Sequence, residues 1–260
     1  GESETALGIW TAARRNRPAV IIATKVCGPM GPGPNDGGLS RQHIMEGVEA
    51  SLRRLQSDYV DLYQAHWDDK ETPLEETLRA FDDLVSQGKV RYVGCSNYPA
   101  WRLARALWES DRHRTARYEC LQPKYNLVIR DEYERELEPL CREQEIGVIP
   151  YSSLASGFLS GKYRAGEPLP KTARAGGVEK TYMNDRGFRV LAAVEKVAAA
   201  TNATAAQVSL SWLAHRPGIT APIASATSVA QLKELVGGID LKLDAEQTAA
   251  LDQAGAWRDA

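Results

Sequence analysis

Apolar positions along the chain follow two periods. Short β-branched runs read as strands covered on both faces: 20–26 (VIIATKV), 59–65 (YVDLYQA), 90–97 (VRYVGCSN), 119–123 (ECLQP), 147–152 (GVIPYS) and 220–225 (TAPIAS). In the second run Val60, Leu62, Tyr63 and Ala65 supply both faces. Helical spacing fills the intervals. Residues 2–10 offer Leu7, Ile9 and Trp10, and Ser40 caps a helix over 41–55 that aligns Ile44, Val48, Ser51, Leu52 and Leu55. Thr72-Pro73, followed by Glu75 and Glu76, opens a helix that runs to Gln87 and is closed by Gly88. Further helices are expected over 101–108, 132–144, 187–200, 205–214, 229–236 and 244–251. The Gly/Pro-rich stretch 28–38 is a loop, and so is an irregular stretch of about 30 residues before 187, long enough to imply a task.

Strand and helix alternate at intervals of roughly 30 to 40 residues, which argues for a parallel sheet with right-handed crossovers. A doubly wound sheet and a closed barrel both satisfy that rhythm. No GxGxxG follows a strand, whereas Lys25, His66, Asn97, Gln122, Tyr151 and Ser225 all lie at strand carboxyl ends, so an α/β (β/α)8 TIM-type barrel is preferred. Six strands are counted, and a closed barrel needs about two more. The chain opens on a helix without a leading strand, so the expectation is one barrel domain over 1–260 whose first two strands are missing.

Composition adds little to this and removes some alternatives. At 43% hydrophobic, 25% charged and a net charge of −2, nothing drives the protein toward nucleic acid or an anionic membrane. No apolar stretch is long enough to span a bilayer and Gly1-Glu2-Ser3-Glu4 is no signal peptide, which favours the cytoplasm. Cys27, Cys95, Cys120 and Cys141 are widely spaced and read as small buried hydrophobes in a reducing compartment. His43, His66, His113 and His215 show no ligand spacing, so no metal is expected.

Two residues break the apolar pattern where chemistry would sit. His66 ends a buried run and is followed by Trp67, Asp68 and Asp69; it either works at the mouth of the sheet or merely bonds a neighbouring loop. Lys25 interrupts a β-branched strand, as a functional cation or as a side chain snorkelling from the strand end.

The motifs around these two residues choose between the alternatives. IATK at 22–25, DLYQAHW at 61–67, GCSN at 94–97, LQPKYN at 121–126 and IPYSSLASGFLSGKY at 149–163 resemble the aldo-keto reductase superfamily, in order and across the whole chain. Within it the sequence looks closest to the bacterial branch related to potassium-channel β-subunits. The resemblance implies hydride transfer from a nicotinamide to a carbonyl, with a tyrosine delivering the proton. Lys25 would favour that tyrosine's ionised form, and His66 would orient the carbonyl and donate a hydrogen bond as negative charge develops. The family's aspartate and tyrosine precede the helix with which this sequence begins, so the 260 residues are expected to lack the proton donor.

For the cofactor, the resemblance places the carboxamide between Asn97 and Gln122 beside Ser96, and stacks the ring on Tyr151. Ser152, Leu154, Ser156, Leu159 and Lys162 would follow the pyrophosphate, and Arg174 would close over a 2′-phosphate. At the adenosine end Ser225, Thr227, Gln231 and Glu234 offer hydrogen bonds, but Ala226 and Thr227 stand where a cation often meets that phosphate. NADPH is the first expectation and NADH the second. The stretch 157–162 is one residue short of a P-loop, and Tyr163 stands where Ser or Thr would hold magnesium. Trp67 and the 28–38 loop would wall a pocket for a small-molecule aldehyde or ketone of apolar or aromatic character. Against this enzyme stand a nucleotide-binding regulatory subunit and a Schiff-base aldolase built on Lys25, the latter weakened by the dinucleotide motifs.

Overall fold

A computed structural model describes residues 1–258 and resolves the chain into two compact units, Gly1–Gln122 and Pro123–Ala260. The first contains α1 (Glu2–Arg14), β1 (Ala23–Val26), α2 (Arg41–Leu55), β2 (Val60–Ala65), α3 (Leu74–Ser86), β3 (Val90–Ser96), α4 (Ala100–His113) and β4 (Tyr118–Gln122). Its strands pair in parallel in the order β1-β2-β3-β4, each joined to the next by a helix as parallel pairing requires. The helix-covered face is closed by an edge-to-face chain of rings in which Phe81 lies 5.7 Å from Tyr63 and 6.0 Å from Tyr118, itself 5.7 Å from Tyr98. Two glycines set how closely the helices approach: a Cβ on Gly8 would lie 2.3 Å from the Arg54 carbonyl of α2, and one on Gly47 would lie 2.9 Å from the Tyr63 hydroxyl of β2.

Ser40 caps α2 as expected, its hydroxyl accepting from the His43 N–H at 3.3 Å. The first strand is shorter than the apolar run suggested. The Asp61 carboxylate accepts the Ile22 N–H at 2.9 Å in place of a ladder partner, so β1 begins at Ala23 and Ile21 is 86% exposed.

The second unit contains α5 (Asp131–Glu134), α6 (Leu137–Glu143), β5 (Gly147–Val148), a 3-10 segment at Ala155–Ser160, α7 (Ala175–Tyr182), α8 (Asp185–Thr201), α9 (Ala205–Ala214), α10 (Val229–Asp240) and α11 (Ala245–Ala254). Three expectations are corrected here. The helix over 132–144 is broken in two, because Pro139 has no N–H for Arg135 and is tolerated only in the first turn of a helix that restarts at Leu137. The irregular stretch contains α7. The sixth strand, 220–225, is extended chain that meets β5 through a single bridge, Val148 to Ile219. Thr220 donates to the Val148 carbonyl at 2.8 Å and Ile223 to that of Pro150 at 2.9 Å, but Pro150 and Pro222 have no N–H and cannot continue a ladder. Among the described residues no helix is long and apolar enough to cross a membrane.

Candidate cofactor and substrate site

In the first unit the paired registers set Lys25 beside Gln64, Gln64 beside Gly94 and Gly94 beside Cys120. These four positions share one face of the sheet, opposite the helices. Lys25 is half-buried, and burial lowers its pKa from the ordinary lysine value; the Cys120 thiol opposes this. Burial pushes that thiol up to about 12, with Lys25 pulling the other way. Among the described residues no carboxylate pairs with Lys25.

His66 follows β2 directly, its N–H donating to the Val26 carbonyl at 2.8 Å. Its ring stacks on Trp67 with centroids 3.7 Å apart and planes 11° from parallel. Burial, and then the Lys25 charge, lower the imidazole's pKa from the ordinary histidine value, which favours the neutral ring with its single N–H. Lys25 and His66 therefore interact across adjacent strand ends.

Asn97 turns the chain out of β3 with φ 59°, a left-handed conformation that asparagine tolerates. Its Nδ2 donates to the His66 carbonyl and to Ser96 Oγ, both at 3.0 Å, and Ser96 Oγ donates to the Gln122 carbonyl at 2.7 Å. Three strand ends are thus tied together. Gln122 Oε1 accepts from Gln64 Nε2 at 2.8 Å, while its own Nε2 makes no hydrogen bond among the described residues. Gly94 permits this arrangement, since a Cβ there would lie 2.7 Å from the Cys120 carbonyl.

Trp67 is 46% exposed beside the loop that follows β1. That loop is pinned from within and from the β2 end. The Asp36 carboxylate accepts the Gly33 N–H, and Gly38 donates to the Cys27 carbonyl at 2.9 Å. Asp69 accepts from the Leu39 N–H and the Thr72 hydroxyl, both at 2.7 Å. Burial would raise the Asp69 pKa, but these bonds and those from the Glu71 and Thr72 N–H groups hold it below the ordinary aspartate value. Cys27, with φ 126°, carries a thiol whose pKa burial raises.

In the second unit Tyr151 follows β5 and bridges in parallel to Lys124, its N–H donating to the Pro123 carbonyl at 2.9 Å. Burial, and then Glu132, raise the Tyr151 pKa. Asn126 Nδ2 donates to the Ser152 carbonyl at 3.0 Å. A run of left-handed residues follows, Ser152, Ala155, Ser156 and Gly157, which turns the segment carrying Leu154 back on itself. Leu159, expected along the pyrophosphate, is fully buried and its N–H donates to the Leu154 carbonyl at 3.2 Å, so it is not open to a ligand. Lys162 extends past the bare Gly157 to lie 5.6 Å from the Tyr163 ring, and Arg174 stands at the N-cap position of α7 without a side-chain bond; both cations are exposed and unpaired among the described residues. Ser225 is exposed, and Glu234 lies on α10, where its main-chain carbonyl accepts from Gln207 Nε2 at 3.1 Å. Thr227 gives both its N–H and its hydroxyl to Gln231 Oε1 at 2.9 Å, closing a turn ahead of the Ser228 cap of α10.

Reading the sequence for strand-end residues passes over Gln64 and Gly94. Their signal is a glutamine in the otherwise apolar run VDLYQA and a glycine inside a strand, a buried polar group and a close approach. Among the described residues no three His, Cys, Asp or Glu side chains are grouped to hold a metal ion.

The profile of the Aldo/keto reductase family matches residues 1–256. The chain is 36% identical over 232 residues to the "Probable voltage-gated potassium channel subunit beta" of Arabidopsis thaliana, covering 86% of this chain and 70% of that protein. It is 36% identical over 253 residues to the "Uncharacterized oxidoreductase YrpG" of Bacillus subtilis, covering 95% and 75%. To the "Norsolorinic acid reductase B" of Aspergillus parasiticus it is 30% identical over 263 residues, covering 98% and 68%.

Proposed function

Because the chain belongs to the aldo/keto reductase family, we propose that it binds a nicotinamide dinucleotide, NADPH before NADH, and uses it to reduce an aldehyde or ketone to an alcohol. The observation that carries this reading is the pair of amides at the ends of β3 and β4. Asn97 is anchored to His66 and Ser96, and Gln122 has a fixed Oε1 and open Nε2 donors. Side-chain amides so placed match the donor and acceptor of a carboxamide. When bound, the reduced nicotinamide supplies the hydride.

The chain's own residues have the remaining tasks. His66 donates its imidazole N–H to the carbonyl oxygen, orienting it and strengthening that bond as charge builds on the oxygen. Lys25, half-buried one strand away, adds positive potential at the same place in its cationic form. Trp67 flanks the carbonyl's substituents, which selects small molecules with an apolar or aromatic part. Lys162 and Arg174 of the second unit are exposed and carry no ion pair among the described residues, and cations of this kind suit phosphate groups.

The proton is less well provided for. Tyr59 is held between the Arg17 and Arg91 guanidiniums, 4.0 Å from each. The Tyr63 hydroxyl donates to the Ile44 carbonyl, those of Tyr98 and Tyr118 bond each other, and burial raises all three pKa values. Each is committed elsewhere. Positioned general-acid catalysis contributes about 100- to 10,000-fold, so none of these four tyrosines is assigned that role.

The test is single-turnover loss of NADPH absorbance against a panel of aldehydes and ketones. His66→Ala is expected to slow the step about 100-fold or more, as loss of a donor to a developing oxyanion does. Equal rates in the two proteins would remove His66 from the reaction. A second reading, a nucleotide-binding regulatory subunit with little turnover, is favoured by the relative named as a potassium-channel subunit; tight NADPH binding with no carbonyl reduced would select it.

A further inference from the structure

Gln64 is fully buried, lies outside every role assigned above, and spans an unusual distance. Its Cα pairs with Gly94 on β3, yet its Nε2 reaches Gln122 on β4, two strands away. Adjacent strands lie about 4.8 Å apart, so two extended amide side chains meet across a gap of roughly 10 Å only where the intervening strand has no side chain on that face. Gly94 supplies the gap, and the Cys120 carbonyl below it would admit no Cβ. The far side of the Gln64 amide is also informative. Its Oε1 is buried with no hydrogen-bond partner, at the position paired with Lys25. A buried amide left half-satisfied is costly, and such a cost is tolerated most readily where the group has a task.

We infer that Gln64 is a positioning residue for the dinucleotide, fixing the amide of Gln122 so that its Nε2–H groups, not its oxygen, face the carboxamide. By donating a hydrogen bond to Gln122 Oε1 it disfavours the alternative, flipped amide, in which the nicotinamide would meet an acceptor. The carboxamide oxygen is then the group Gln122 recognises. This rests on the dinucleotide reading and adds to it a polarity: the site requires an acceptor on the nicotinamide's side chain and tolerates loss of the carboxamide's own N–H groups at this contact.

The experiment is a set of fluorescence titrations with NADP+ and with its 3-acetylpyridine analogue, which keeps the carbonyl oxygen and lacks the amide nitrogen. Gln64→Met, close in volume, is expected to weaken NADP+ binding about three- to tenfold, the worth of one net hydrogen bond. Added to Gln122→Ala, it should change binding by less than about 1.5-fold, because Gln64 acts through Gln122. Gln64→Glu offers only acceptors, turns the Gln122 nitrogen toward itself and presents oxygen to the ligand. Its ratio of analogue to NADP+ dissociation constants should rise at least about fivefold over wild type. Thermal melts confirm that each variant is folded. Failure of the wild-type protein to bind either nucleotide overturns the dinucleotide reading and this inference with it. Wild-type binding with Gln64→Met unchanged, or weakened equally with and without Gln122, overturns the inference alone, as does an unaltered ratio in Gln64→Glu.

Discussion

At the scale of single residues the decisive pair is Lys25 and His66, a cation and an imidazole at adjacent strand ends. Burial and the lysine charge both disfavour the imidazolium, so the His66 ring titrates below its ordinary value of about 6.5. Replacing Lys25 by Met removes the second cause and leaves the first. The His66 midpoint, followed by NMR of the ring carbons, is therefore expected to move up while staying below the free-imidazole value. A midpoint that moves down, or does not move, would separate the two residues. The sequence made both visible, since a lysine in a β-branched run and a histidine ending a buried strand violate the burial pattern. Gln64 violates it as well, but a glutamine in mid-strand names no reaction until its partner is known, and Gln122 lies 58 residues on.

Among elements, the loop between β1 and α2 depends on one carboxylate. Asp69 accepts the Leu39 N–H and the Thr72 hydroxyl from outside the helices, and so ties the loop to the end of β2. Asp69→Ala is expected to lower stability by about 1–2 kcal/mol, measured by denaturant unfolding, and to open 28–38 to proteolysis. Its folded pKa is depressed, so the stabilisation is present above the unfolded value of about 3.9 and is lost as pH falls through the lower folded value. The difference between wild type and variant should be constant near neutrality and shrink below about pH 4; a difference that grows on acidification would contradict the assignment. Local signals made the capped helices legible, as at Ser40, but the failures also had local causes. Pro139 broke an expected helix and Pro150 with Pro222 reduced an expected strand to one bridge, because apolar periodicity counts side chains and not the N–H groups a ladder consumes.

For the whole molecule, the parallel order of β1 to β4 collects Lys25, His66, Ser96, Asn97 and Gln122 at one end of a sheet, where α/β folds carry their chemistry. The alternation of strands and helices showed that end in advance. What it could not show was which strand ends bond to which, since the Asn97 to His66 and Ser96 to Gln122 links follow from register and not from spacing. The central claim is that this end of the first unit holds a nicotinamide dinucleotide. The most direct test is titration of the 260-residue protein with NADPH, followed by nucleotide fluorescence, alongside Gln122→Ala. Saturable binding that Gln122→Ala weakens at least about fivefold is the expected result. Absence of binding, or a Gln122→Ala affinity within about twofold of wild type, below roughly 0.4 kcal/mol, would contradict it.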